Sequence, residues 1–162
     1  MITLYHGGTE IITTPEIRKS NRTLDFGAGF YLTSSIQQAR EWVLRHLETT
    51  GIVGYVNIYH FPETETASIL KIKIFASASE DWLDFVMSNR RNPDFTHDYD
   101  IVIGPVANDR VYTAFSLYEG GVIDKATLIH ELRTYRLVDQ YLFHTPEALR
   151  HLHFQSANPV QR

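Results

Sequence analysis

Leu4-Tyr5-His6-Gly7-Gly8 and Asp25-Phe26-Gly27-Ala28-Gly29-Phe30-Tyr31-Leu32-Thr33 are the two ends of the stretch whose reading decides the fold. The first reads as a short strand, Ile2–His6, that runs into glycines. The second is a glycine-rich approach to another strand, Phe30–Thr33, that carries an aromatic hydroxyl. Glycines beside a strand let a backbone come close to a ligand or adopt positive φ. His6 and Tyr31 would then form the polar and aromatic walls of one pocket. Taken alone, a histidine at a strand end such as His6 is more often a packed or surface residue than a catalyst, and the glycines need mean only a turn.

Working outward, Ser34 or Ser35 is the N-cap candidate of a helix whose Ile36, Ala39, Val43 and Leu47 recur at helical spacing, with Trp42 on its flank. Glu41 and Arg45 form an i,i+4 pair, and the helix should end near Thr50-Gly51. Upstream, Thr13-Thr14-Pro15 and Ser20–Thr23 punctuate a loop, with a short strand at Glu16–Arg18. Downstream, Ile52–Phe61 is apolar on both faces and reads as a buried strand. Leu70, Ile72 and Ile74 alternate with lysines as a half-buried strand, after a polar turn at Pro62–Thr66. Ser77–Glu80 offers a capping box for a helix with Trp82, Phe85 and Val86 inward. Tyr99–Ile103 is a strand stopped by Gly104-Pro105; Asn108 or Asp109, then Asp124, cap two helices. Leu137–Phe143 is a strand, Thr145-Pro146-Glu147 starts a short helix, and His151–Gln155 is a last strand. Strands and helices are interspersed irregularly, which favours α+β. The expectation is one domain over 1–155, with 156–162 as a tail.

A chain of 162 residues with 43% hydrophobic content can bury a proper core. Its net charge of −4 argues against an overall electrostatic grip on nucleic acid. Absence of cysteine excludes disulfides and thiolate metal sites. No apolar run approaches the ~20 residues of a membrane helix, and the N-terminus lacks a secretory pattern, so a cytoplasmic location without membrane contact is expected. His144, His151 and His153 raise a metal site, but no carboxylate or cysteine spacing completes one; no metal is expected. Asp25-Phe26-Gly27 suggests a protein kinase, yet the matching lysine and His-Arg-Asp motif are missing.

The Tyr-His-Gly strand followed by Gly-x-Gly-Phe-Tyr-x-Thr resembles the ADP-ribosyltransferase superfamily. The match is to the His–Tyr branch shared by diphtheria-type toxins and poly(ADP-ribose) polymerases. More narrowly, it resembles short bacterial members formerly catalogued as domains of unknown function. The likeness is closest over Leu4–Trp42, with further segments at Tyr99–Asp109 and Asp139–Thr145. It implies an ADP-ribosyltransferase-like split β-sandwich with flanking helices, and transfer of one ADP-ribose from NAD to a macromolecular acceptor. By this resemblance His6 contacts a ribose hydroxyl, the Gly7 backbone holds the nicotinamide carboxamide, and Thr33 joins the binding set. Tyr31 and Trp42, 11 residues apart (42 − 31), would sandwich the nicotinamide ring. For Trp42 a plain core-anchoring role stands equally open. The family's usual late glutamate aligns with Gln140, a neutral amide that can orient a hydroxyl but cannot act as a base. Asp139 falls on the opposite strand face by period-two alternation. Asn108 and Asp109 would lie on the acceptor side of the cleft, or simply cap a helix. The resemblance also implies a toxin paired with a small antitoxin. The alternatives are a non-catalytic NAD or ADP-ribose binding module and a protein-interaction domain that keeps only the fold.

Overall fold

The computed structural model describes residues 1–17, 24–47, 53–106, 109–135 and 137–161. The described elements run β1 (Ile2–Gly8), β2 (Phe30–Leu32), α1 (Ile36–His46), β3 (Gly54–Phe61), α2 (Glu63–Thr66), β4 (Ile72–Ile74), α3 (Glu80–Arg91), β5 (Ile101–Pro105), α4 (Asp109–Glu119), α5 (Lys125–Arg133), β6 (Asp139–Phe143), α6 (Pro146–Leu149) and β7 (His153–Val160). They build an α+β domain with two sheets, ordered β1-β3-β7 and β2-β6-β5-β4. All described pairings are antiparallel except β4 with β5. Among the described residues, one isolated bridge, Tyr5 to Thr33, joins the two sheets.

Period-two alternation sorts the side chains into three buried clusters. Leu4 of β1, Phe30 and Leu32 of β2, Tyr59 and Phe61 of β3, and Phe143 of β6 meet between the inner faces of the two sheets. Phe30 meets Tyr59 edge-on at 5.9 Å and Phe61 meets Phe143 at 5.1 Å, so aromatic rings tie one sheet to the other. The outer face of the larger sheet carries Val102 and Leu142 and is covered by α3, α4 and α5 through Trp82, Val86, Phe115 and Leu128. The outer face of the smaller sheet is covered by α1 through Ala39, Val43 and Leu47.

Capping chemistry sets the helix starts. Ser35 accepts from the Gln38 N–H, Ser79 from Trp82, Asp124 from Thr127 and Thr145 from Ala148. At the second of these the cap is Ser79, not Ser77. Ile36 departs from the inward stripe expected for α1 and is 46% exposed; it sits in the first turn, ahead of the part of the helix that packs on the sheet. Glu41 takes a hydrogen bond from Gln37 at 3.1 Å. Pro62–Thr66, expected as a turn, forms the single-turn α2.

The largest difference from expectation is at the C-terminal end. Residues 156–160, read as tail, continue β7 as far as Val160 and pair with β3 across a bulge at Ile58/Tyr59. Most of these side chains face solvent, so the segment has no apolar signature; main-chain bonds and the buried Val160 hold it. No strand forms at Glu16 and Ile17. Arg18, Ser20–Thr23, Thr50, Gly51, Ile52 and Asn108 lie outside the described residues, as does the side chain of Asp109.

Candidate functional site

The seam between the sheets is built from the backbone of β1. Tyr5 exchanges both of its main-chain hydrogen bonds with Thr33, at 2.8 and 2.9 Å. In an antiparallel strand the peptide groups of alternate residues point to the same edge. Gly7 therefore turns its N–H and C=O toward the same edge as Tyr5, one step beyond the bridge. There the ladder to β2 is broken by a side chain: His6 Nδ1 lies 2.7 Å from the Tyr31 carbonyl oxygen. A carbonyl only accepts, so Nδ1 carries the proton. The imidazole also stacks on Phe30 at 4.3 Å. A Cβ on Gly8 would lie at ordinary contact distance, 3.5 Å, from His6 Nε2.

Gly7 has a packing role that the sequence did not disclose. A Cβ there would fall 2.4 Å from the Ala39 carbonyl oxygen and 3.0 Å from Val43 Cγ2. At Gly54 it would fall 2.2 Å from Val43 Cγ1. Helix α1 thus lies directly against two side-chain-free strand positions.

Thr33 and Tyr31 share a sheet face with Leu142, and continuing the β2–β6 register sets Gln140 opposite Thr33. The structure brings Tyr31, Thr33 and Gln140 to one face of the larger sheet, with Gly7 across the seam. Thr33 is buried and its Oγ1 accepts from the Ser35 N–H at 3.1 Å, so it also sets the start of α1. The Tyr31 ring packs against the cluster under α3–α5. Its hydroxyl donates to the Gly27 carbonyl and accepts from the Phe26 N–H at 3.2 Å. Burial, with smaller contributions from Asp25 and Tyr112, pushes the phenol far above its usual range. Gln140 is 9% exposed and reaches the Pro105 carbonyl at 3.5 Å, the outer limit of a hydrogen bond.

Trp42 lies on α1, over the other sheet. It is 38% exposed and stacks on His46 at 3.9 Å; among the described residues it makes no ring contact with Tyr31. Asp139 points away from Gln140 and binds Ser34, at 3.0 Å to the backbone N–H and 2.7 Å to the hydroxyl. Two hollows in the helical layer, one beside Met87 and Tyr118 and one beside Lys125 and Ile129, include none of these residues. Among the described residues no group of three or more metal-ligating side chains gathers, and no helix is long and apolar enough to cross a membrane.

Three further residues shape the seam without having been singled out. Asn57 is fully buried, accepts from Ile12 N–H at 2.9 Å and donates to the Glu10 carbonyl at 3.1 Å, fixing the turn after β1. A lone amide inside the apolar run 52–61 was the available signal. His97 Nε2 donates to the Phe26 carbonyl at 2.8 Å, and Arg90 pairs with buried Asp25 at 3.6 Å. Both fix the loop that holds the Tyr31 hydroxyl, and nothing local in the sequence marks either one.

Residues 2–154 match a family model described as "Protein of unknown function (DUF3990)". The chain belongs to this DUF3990 family. Comparison with curated proteins and with solved structures gave no match. The matched region of this DUF3990 member takes in every residue of the seam, from His6 through Gln140.

Proposed function

We propose that this protein is an NAD-dependent mono-ADP-ribosyltransferase with an ADP-ribosyltransferase-like split β-sandwich. The observation that carries the reading is the broken ladder between β1 and β2. The His6 imidazole takes the Tyr31 carbonyl, and the Gly7 peptide edge turns toward the place where the sheets part. A flat carboxamide needs one donor and one acceptor in line, which a strand edge supplies. His6 would contact a ribose hydroxyl, Thr33 and Tyr31 would line the nicotinamide side, and Trp42 would close it from α1. Gln140 would orient the ribose 2′-hydroxyl. Cleavage sends the electron pair of the C1′–nitrogen bond to nicotinamide, and a nucleophile of the acceptor takes its place at C1′. With a neutral amide at Gln140, rate enhancement would rest on positioning and oriented dipoles. The acceptor is a macromolecule, and the protein acts as the toxin of a pair with a small antitoxin.

A second reading is a non-catalytic NAD-binding module. It is favoured by Gln140 standing where a carboxylate would serve, while Asp139 is held by Ser34. Nicotinamide release from NAD in the presence of EDTA separates the two. Release is expected, and NAD binding without release would establish the second reading. Absence of both would leave neither.

A further inference from the structure

We propose that His97 and His144 are positioning residues that latch the loop over residues 24–29 onto Tyr31, and that this latch releases when His97 takes up a second proton. The consequence for ligand binding rests on the reading that places Tyr31 in the NAD site; the latch itself does not.

The loop is tied down at consecutive peptide groups. His97 Nε2–H donates to the Phe26 carbonyl at 2.8 Å and His144 Nδ1–H donates to the Ala28 carbonyl at 2.6 Å. The Tyr31 hydroxyl takes the Gly27 carbonyl between them and the Phe26 N–H just before them, so four successive peptide groups are held. Gly27 holds φ +94°, and a Cβ there would lie 3.4 Å from His97 Nε2 and 3.2 Å from Asn89 Oδ1. Every hydrogen bond that fixes the Tyr31 hydroxyl is therefore made to a peptide adjoining a histidine contact.

The two imidazoles are neighbours, with ring centres 4.1 Å apart. His97 Nδ1 accepts from the Tyr99 N–H at 3.3 Å, which fixes its neutral Nε2–H tautomer. A second proton on His97 would sit on Nδ1 and set a donor against the Tyr99 N–H donor. Nearby countercharge is already engaged. Asp98 pairs with Lys71 at 3.1 Å and Asp25 with Arg90 at 3.6 Å. Asp100 accepts from the Thr145 hydroxyl and the Lys71 N–H. From α3, Phe85 packs on the His97 ring, Asn89 lies beside Gly27, and the charged Arg90 pairs with Asp25 of the loop. Burial is the largest effect and favours neutral His97; the bond to Phe26 opposes it, and smaller effects of the neighbouring His144 and of Asp98 act for and against the neutral form respectively.

Amide hydrogen-exchange protection of Phe26 and Gly27 measured by NMR from about pH 7.5 to about pH 5.5 tests the latch across the range where histidine titrates. Protection should fall on acidification by up to about tenfold per pH unit for each proton taken up, while Val102 in the core stays protected. His97→Gln keeps an amide N–H for the Phe26 carbonyl but cannot titrate, so its profile should be flattened. His144→Asn keeps an amide N–H for the Ala28 carbonyl but removes the ring that faces His97, so it should also soften the profile, which covers the case in which the first variant fails to fold. NAD affinity of the wild type should weaken over the same range. Protection independent of pH in the wild type, or a folded variant that follows the wild-type profile, would overturn the latch. A pH-responsive loop with no NAD binding at any pH would uphold the latch and remove the NAD reading.

Discussion

His6 Nδ1 stands 2.7 Å from the Tyr31 carbonyl, where the next ladder bond from Gly7 would fall if β1 and β2 stayed paired. The register that sets Tyr5 opposite Thr33 would set Gly7 opposite Tyr31 (5 + 33 = 7 + 31). One imidazole thus satisfies a carbonyl and prevents two sheets from merging into one. Folding and the candidate chemistry share this residue.

His6→Ala should therefore cost stability as well as any activity. It strands the Tyr31 carbonyl and removes the stacked ring on Phe30, a loss of roughly 1–3 kcal/mol for the unmet acceptor alone. His6→Asn can restore the hydrogen bond but not the stacking, and should recover part of it. Chemical denaturation of the three proteins orders them; an alanine variant as stable as wild type would show that the wedge is not needed to hold the seam.

Gly7 and Gly54 can be told apart by what blocks a side chain. At Gly7 the nearest obstacle is the Ala39 backbone carbonyl, and at Gly54 it is a Val43 methyl. Both alanine variants should be destabilised, by about 1–3 kcal/mol or more from overpacking. Val43→Ala should partly rescue Gly54→Ala and leave Gly7→Ala unrescued. Melting temperatures of the singles and doubles give the coupling directly. Equal rescue at both positions would place α1 differently against β1.

Much of this was legible in the sequence, and the limits have physical causes. The α1 cap at Ser34 or Ser35 and the strands carrying His6, Tyr31 and Gln140 followed from local patterns, because caps and alternation act over a few residues; the structure selects Ser35. The spacing of Tyr31 and Trp42 was legible too, but not that the Tyr31 ring packs under α3–α5 while Trp42 stacks on His46. That choice is made by the Phe26 and Gly27 peptides, which are held by His97 from 71 residues away. Nor could residues 156–160 show themselves as strand. An edge strand with exposed side chains is held by its backbone, which composition does not record.

The Tyr31 phenol gives a test at alkaline pH. Its pKa is raised chiefly by burial, from an ordinary 10.0, and Tyr59 is shifted the same way by burial. A raised folded pKa contributes stability that is fully present below the unfolded value and is lost as pH rises toward the folded one. Stability should thus hold up to about pH 10, the unperturbed tyrosine value, and decline above it. Tyr31→Phe should flatten part of that decline. It should also lower stability near neutrality, since the Phe26 N–H and the Gly27 carbonyl lose their partner. Denaturation midpoints against pH for wild type and variant check both; parallel curves would mean that the phenol is not buried in solution.

Gln140 carries the sharpest prediction because its surroundings suit an amide and resist an acid. It is 9% exposed, and its Nε2 faces the Pro105 carbonyl. Gln140→Glu sets an acceptor against that acceptor and buries a charge, so the introduced carboxyl should titrate above the usual glutamate value. By the same linkage the variant should be closest to wild type in acid and lose stability as pH rises through that raised value. If Gln140 orients the ribose, Gln140→Ala should lower nicotinamide release far more than NAD affinity, because orientation counts most in the transition state. Gln140→Glu, once ionised, should raise release to water, which a carboxylate can activate and an amide cannot. Stability and nicotinamide release measured on the same preparations across pH keep the two effects apart. A stability penalty at neutral pH with identical release in all three proteins would leave Gln140 a packing residue of β6 and take it out of the site.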